Sequence, residues 1–268
     1  MIPARLTIGL FSLAIAAVAF AVPAVAGFTR AQLASISASP PANAVLPLDL
    51  SFRDENGRIM TLRAAIGAAP AVVVFADYTC RTLCGPILEF TAAGLANTGL
   101  QPGTDYRLVV IGLNPRDGLD AARAMRAEHI GRDNPVSKAA ILLSGGDADI
   151  RATAQSVGLS YAYDAEHDQY AHPAAVYVVD SVGRVRRVLS PLGLDGGDLR
   201  LSIIDAGHGT VGTIADRLHL LCYGFDPVRG VYTERITAML ECAAGATLAV
   251  LAAFILIMLA GERRKAAT

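Results

Sequence analysis

Two uninterrupted apolar runs, Ala71 to Ala76 and Ala174 to Val179, set the terms on which this chain can fold. A strand with one wet face alternates apolar and polar residues. A run without alternation has to be covered on both faces, as the inner strands of α/β sheets are. Tyr106 to Gly112 reads the same way, and Ala139 to Leu143 reads as a short strand. Between these runs lie stretches of helical spacing. One opens at Gly85-Pro86, where proline is preorganised for a first turn, and carries the stripe Ile87, Leu88, Ala92 and Leu95. Another covers Asp117 to Ile130 with its arginines toward water, and two more cover 148–157 and 199–206. Leu46 to Phe52 and Arg58 to Leu62 flank an Asn56-Gly57 turn, and 174–180 and 185–189 flank Ser181-Val-Gly183, so a hairpin is expected at each place. Strands alternating with helices and finishing in a hairpin predict an α/β fold, a mixed sheet flanked by helices.

The two ends of the 268-residue chain are of a different kind. After Arg5 comes an uncharged apolar stretch closing on Ala24-Val25-Ala26, a small-x-small pattern that predicts an export signal over 1–26. The alternative for this stretch is an uncleaved anchor. From Cys242 to Gly261 there is no charge, and roughly 20 apolar residues suffice to cross the ~30 Å hydrocarbon core. Glu262-Arg-Arg-Lys265 follows, and basic residues beside a span mark its cytoplasmic side. The expected order is therefore signal peptide, linker over 27–45, one folded domain over 46–215, a juxtamembrane segment over 216–241, a transmembrane helix over 242–261 and a cytoplasmic tail over 262–268. That places the domain outside the cytoplasm, on the periplasmic face of an inner membrane. A net charge of −1 with no basic block gives a nucleic-acid partner no electrostatic support.

The chemistry is concentrated at the ends of the two apolar runs. Cys80 and Cys84 follow the first, in Asp77-Tyr-Thr-Cys80-Arg-Thr-Leu-Cys84, and His172 precedes the second. Thiolate is the reactive and metal-binding form of cysteine, favoured by a helix N-terminus and by a nearby cation such as Arg81. Soft thiolates select Cu(I), and imidazole also suits Cu(II), so two cysteines and one histidine suit either copper state. Structural zinc takes four closed ligands, and no second Cys or His pair at zinc spacing stands nearby. The same dithiol serves disulfide exchange equally well, and buried inert cysteines are the structural alternative. The polar residues around this pair, Asp77, Tyr78, Thr79 and Arg81, speak against that last reading. His219 and Cys222 share a helical face and form a candidate accessory site, against which stands a simple apolar docking patch, Leu218 to Cys222. Cys242 reads as a small apolar residue of the span. His129, His167 and His208 show no evident partners and read as solvated. Asp117 and Asp120 are expected to serve a helix start, and Asp77 either tunes the thiols or has a structural use.

Several segments together resemble the Sco/SenC family of membrane-anchored proteins. They are Phe52-Arg-Asp-Glu-Asn-Gly-Arg58, Tyr78-Thr-Cys80 with Cys84, Leu113-Asn-Pro-Arg-Asp117, Gln169-Tyr-Ala-His172, Val178-Val-Asp180, and Leu221-Cys-Tyr with Asp226-Pro. The resemblance implies a thioredoxin-like fold and copper bound by Cys80, Cys84 and His172. It implies delivery to the binuclear copper centre of cytochrome c oxidase. The implied partners are the copper-centre subunit of a haem-copper oxidase, a thiol reductant and other copper carriers. Where relatives often have proline after the first cysteine this chain has Arg81, and Pro173 stands where a small residue is common. Gly224 and Phe225 replace a histidine and a tyrosine that many relatives carry. In a thioredoxin-like sheet a proline before this last strand lies against the dithiol loop, which makes Pro173 a candidate for a cis bond. Thiol–disulfide oxidoreductase and non-catalytic scaffold are the two other functions such a chain admits.

Overall fold

A computed structural model describes residues 36–191 and 194–207, together with the short stretches 223–226, 231–234, 244–248 and residue 251. The expected signal segment, juxtamembrane segment and tail lie outside or almost outside these residues. So does the expected span, of which only 244–248 and 251 are described. Among the described residues no helix is long and apolar enough to cross a membrane.

In chain order the elements are β1 (Ser37–Ala38), β2 (Ser51–Asp54), β3 (Ile59–Thr61), α1 (Leu62–Ile66), β4 (Ala71–Ala76), α2 (Cys84–Ala96), β5 (Arg107–Gly112) and α3 (Leu119–Met125). α3 runs on as a wider π turn, Arg126–Ile130. Then come α4 (Pro135–Ala139), β6 (Ile141–Ser144), α5 (Asp147–Ser156), β7 (Leu159–Ser160), β8 (Ala162–Asp164), β9 (Gln169–Ala171), β10 (Val176–Val179), β11 (Val185–Leu189) and α6 (Gly196–Ala206). A hairpin that forms a two-stranded sheet of its own, β12 (Tyr223–Asp226) with β13 (Val231–Glu234), follows.

Seven strands form the main sheet in the order β11-β10-β4-β5-β6-β2-β3. β4, β5 and β6 are parallel, and the flanking pairs are antiparallel, so the sheet is mixed as expected. Each apolar run is buried because alternate side chains enter different cores. Val72, Val74, Val110 and Val178 enter a core closed by α2, α4, α6 and the π turn. Val73, Phe75, Ile111 and Tyr177 enter another closed by α1 and α5. Phe75 and Tyr177 meet edge to face there, 5.8 Å apart, an arrangement worth about 1 kcal/mol beyond its burial.

Several boundaries differ from expectation. The first hairpin strand begins at Ser51, not Leu46, because Pro47 and the turn after it break the run. Val45 instead bridges Arg184 in the β10–β11 turn, and the Leu46 amide donates to Gly183. Of the stretch read as a linker, residues 36–45 are described, and they lie on the domain, with β1 paired to β7. The arginines of 117–130 do not all face water. Arg126 turns inward to pair with Glu55 and donates to the Ala140 carbonyl. α4 and the small β8–β9 hairpin have no counterpart in the pattern reading.

Candidate metal and dithiol site

Strand direction brings the thiols and the imidazole together. β4 ends at Ala76, and the next seven residues turn back so that Cys84 is the first residue of α2. No side chain caps this helix, which leaves its first amides and the positive end of its dipole beside the thiols. β10 runs antiparallel to β4 with Val176 opposite Val74. Carried four residues further, that register puts position 172 level with position 78, at the mouth of the cysteine loop.

The contact follows: Cys84 Sγ lies 3.2 Å from His172 Nε2. His172 Nδ1 is 3.0 Å from the Pro173 carbonyl. A carbonyl only accepts, so Nδ1 carries the hydrogen and Nε2 presents its lone pair to the sulfur, and the one Cys84 S–H serves either this nitrogen or the Cys80 sulfur. Burial lowers the His172 pKa, which favours this neutral ring. Cys84 is buried and Cys80 partly exposed, both as free thiols. The two sulfurs share a proton unequally. A hydrogen bond from Cys84, opposed by burial and helped by Thr82, lowers Cys80 to about 4. That same bond to Cys80, with burial and the Cys80 charge, pushes Cys84 well up. A partly exposed thiolate beside a buried thiol is the arrangement of an attacking and a resolving cysteine, and equally of two donors awaiting a soft metal. As they stand, no three His, Cys, Asp or Glu side chains among the described residues are clustered as a metal cage. Arg81, expected to supply a cation to the thiols, is exposed and is not among the main causes of the lowering of Cys80. Thr82 takes that place, its hydroxyl 3.3 Å from the Cys80 sulfur. The expected cis bond before Pro173 is absent; every described peptide bond is trans.

Two aspartates hold the loop. Asp77 is fully buried and serves both the loop and the thiols, its charge being among the causes that raise Cys84. It accepts from the Thr79 amide and hydroxyl and, at 2.7 Å, from the Tyr170 amide. Tyr170 lies on β9, two residues before His172, so one carboxylate fastens the thiol loop to the segment that delivers the imidazole. Asp117 does not start the helix, which begins at Leu119; Asp120 does lie in its first turn. Asp117 reaches across to accept from the Tyr78 amide at 2.9 Å and the Thr79 hydroxyl at 3.2 Å. Tyr78 itself is buried, its hydroxyl bonded to the Leu143 carbonyl. The Leu113-to-Asp117 segment was the available signal for this tether, but a carboxylate just before a helix reads first as a helix start.

Burial, then the charge of Asp77, pushes Asp117 up to about 6 from 3.8. The folded protein therefore holds this proton more tightly than the unfolded chain does. The associated stability is full below pH 3.8 and is lost as pH rises through about 6. Urea unfolding from about pH 4 to about pH 7 should show wild type losing stability that Asp117→Asn does not lose. Parallel curves for the two proteins would contradict the assignment.

His129, expected to be solvated, is partnered. The π turn swings its ring over Gly85, where a Cβ would overlap it, and Nδ1 is 2.8 Å from Glu89 Oε1. His167 pairs with Asp164 at 2.8 Å. His208, His219, Cys222 and Cys242 lie outside the described residues.

No family model matches the chain, and no curated protein matches it. Solved structures do. A presumed electron transfer protein from Aquifex aeolicus VF5 aligns with TM-score 0.54 and 15% identity over 63% of this chain and 95% of its own. A presumed electron transport protein from the same organism aligns with TM-score 0.52 and 18% identity, over 61% and 97%. BsSco, described as a Sco-family cytochrome c oxidase assembly protein with a disulfide switch, aligns with TM-score 0.50 and 17% identity, over 64% and 98%. With its central mixed sheet and flanking helices, the chain has the thioredoxin-like fold of these proteins.

Proposed function

We propose that this protein is a copper carrier of the Sco/SenC kind, tethered to the membrane with its domain on the extracytoplasmic side, that loads the binuclear copper centre of a cytochrome c oxidase. The observation that carries the reading is the approach of His172 Nε2 to Cys84 Sγ, 3.2 Å, with Cys80 electrostatically coupled to the same sulfur. Two soft sulfurs and a bare imidazole nitrogen are a donor set for copper, here a cargo. The fold shared with BsSco supports the assignment. The tether and its sidedness rest on the uncharged run 242–261 and the basic residues after it.

In this reading Cys80 and Cys84 take up Cu(I) and His172 completes the site. The partner's thiolates then displace the three donors one at a time. Each sulfur must be a thiol before loading, so a reductant acts first.

A second reading is thiol–disulfide exchange on a partner's cysteines, with Cys80 attacking and Cys84 resolving. The low Cys80 and high Cys84 pKa values favour it. His172→Ala separates the two. Cu(I) affinity, measured by competition with a chromogenic chelator, should fall at least ~10-fold, while the rate at which the reduced protein attacks a model disulfide stays near wild type. Retained copper affinity with impaired exchange would reverse the order of the two readings.

A further inference from the structure

Beside the thiol loop is a cleft of about 780 Å³ whose lining contains no apolar side chain. Thr79, Arg81 and Thr82 form one wall, and the β8–β9 turn with Glu166 and Asp168 forms the other. The segment between is bonded to both walls and makes the floor: Asp117 accepts from Thr79, and Arg116 pairs with Asp168 at 2.7 Å and lies over the Tyr163 ring. Thr82 connects the cleft to the chemistry, because its hydroxyl touches the Cys80 sulfur.

Most charges here are committed, but one on each wall is not. Arg81 is exposed and makes no hydrogen bond or ion pair among the described residues. Across the cleft, the Glu166 carboxylate makes no hydrogen bond or ion pair among the described residues, although its charge acts on the neighbouring His167. A cleft of this size takes a molecule of a few hundred daltons. An uncommitted cation facing an uncommitted anion suits one that carries a carboxylate and an ammonium group. A macromolecular partner would call for apolar anchor residues at the contact, and this cleft has none.

From this arrangement we infer that the cleft binds a small zwitterionic peptide thiol, the reductant that returns Cys80 and Cys84 to the thiol state. The inference rests on the reading of this pair as a dithiol that must be reduced before loading. In the oxidised protein the bound thiolate attacks Cys80 Sγ, the more exposed sulfur. The Cys80–Cys84 bond breaks, and its electron pair goes with a proton to Cys84. A second molecule of the thiol attacks the sulfur of the first, releasing the small disulfide and leaving Cys80 as thiolate. Two thiols supply the two electrons.

The test uses the oxidised full-length protein with glutathione as probe and uncharged 2-mercaptoethanol as control, following the appearance of free thiols. The rate with glutathione should saturate, and that with 2-mercaptoethanol should rise linearly. Glu166→Lys, on the wall opposite the thiols, should raise the glutathione KM about tenfold and leave the 2-mercaptoethanol rate unchanged, and Arg81→Glu should slow reduction by glutathione far more than reduction by 2-mercaptoethanol. A linear glutathione rate, or variants that slow both thiols alike, would overturn the inference. So would reduction that proceeds only with a protein dithiol such as thioredoxin. Cu(I) titration of reduced Glu166→Lys should match wild type, so failure of thiol recognition is read separately from failure of the copper reading.

Discussion

Cys84→Ser should lose more than ~100-fold in Cu(I) affinity, beyond the 10–100-fold typical of removing an outer-shell partner of a metal ligand. Cys84 is the hub of the site: its sulfur contacts His172 Nε2 at 3.2 Å and is coupled to Cys80. Serine fits the same space, so the buried start of α2 is not emptied. A hydroxyl is a hard donor with no preference for Cu(I). Cys80→Ser acts on a partly exposed residue and leaves the Cys84–His172 contact in place. The expected order of loss is therefore Cys84 before Cys80, with thermal stability nearly unchanged in both. Competition titration against a Cu(I) chelator reads the order directly. Wild-type affinity in Cys84→Ser would remove this residue from the donor set.

The second large effect concerns the helix pair that supports the site. α2 and α6 approach so closely at Gly94 that an added Cβ would overlap the Leu194 carbonyl and fall 2.6 Å from Leu199 Cδ1. Asn97 and Gly196 repeat the close approach one turn on. The obstacle at Gly94 is backbone, which cannot turn aside as a side chain tip can. Gly94→Val should therefore force the helices apart and cost about 3 kcal/mol, despite a gain of a few tenths in helix propensity. In urea unfolding the midpoint should fall with little change of slope. A neutral or stabilised variant would mean that α6 does not pack on α2 in this way.

What could be read from sequence divides along physical lines. The strands at 71–76, 106–112 and 174–179 were legible because continuous apolar runs have few alternatives to burial on both faces. The meeting of Cys84 with His172 across 88 residues was legible only through the fold. It depends on β10 lying antiparallel beside β4, which no local pattern encodes. The β8–β9 hairpin was not legible: its strands are three residues each, half-exposed and polar. Yet it carries Tyr170 to Asp77 and forms one wall of the cleft. His129 escaped for another reason. Periodicity counts in steps of 3.6 residues, and the wide turn at Arg126–Ile130 places side chains off that count.

The most direct measurement is X-ray absorption at the copper edge of the reduced, Cu(I)-loaded protein, wild type beside His172→Ala. Wild type should show two sulfur donors and one imidazole nitrogen, with the imidazole signal absent from the variant. Identical spectra for the two proteins, or a wild-type centre with sulfur donors alone, would contradict it.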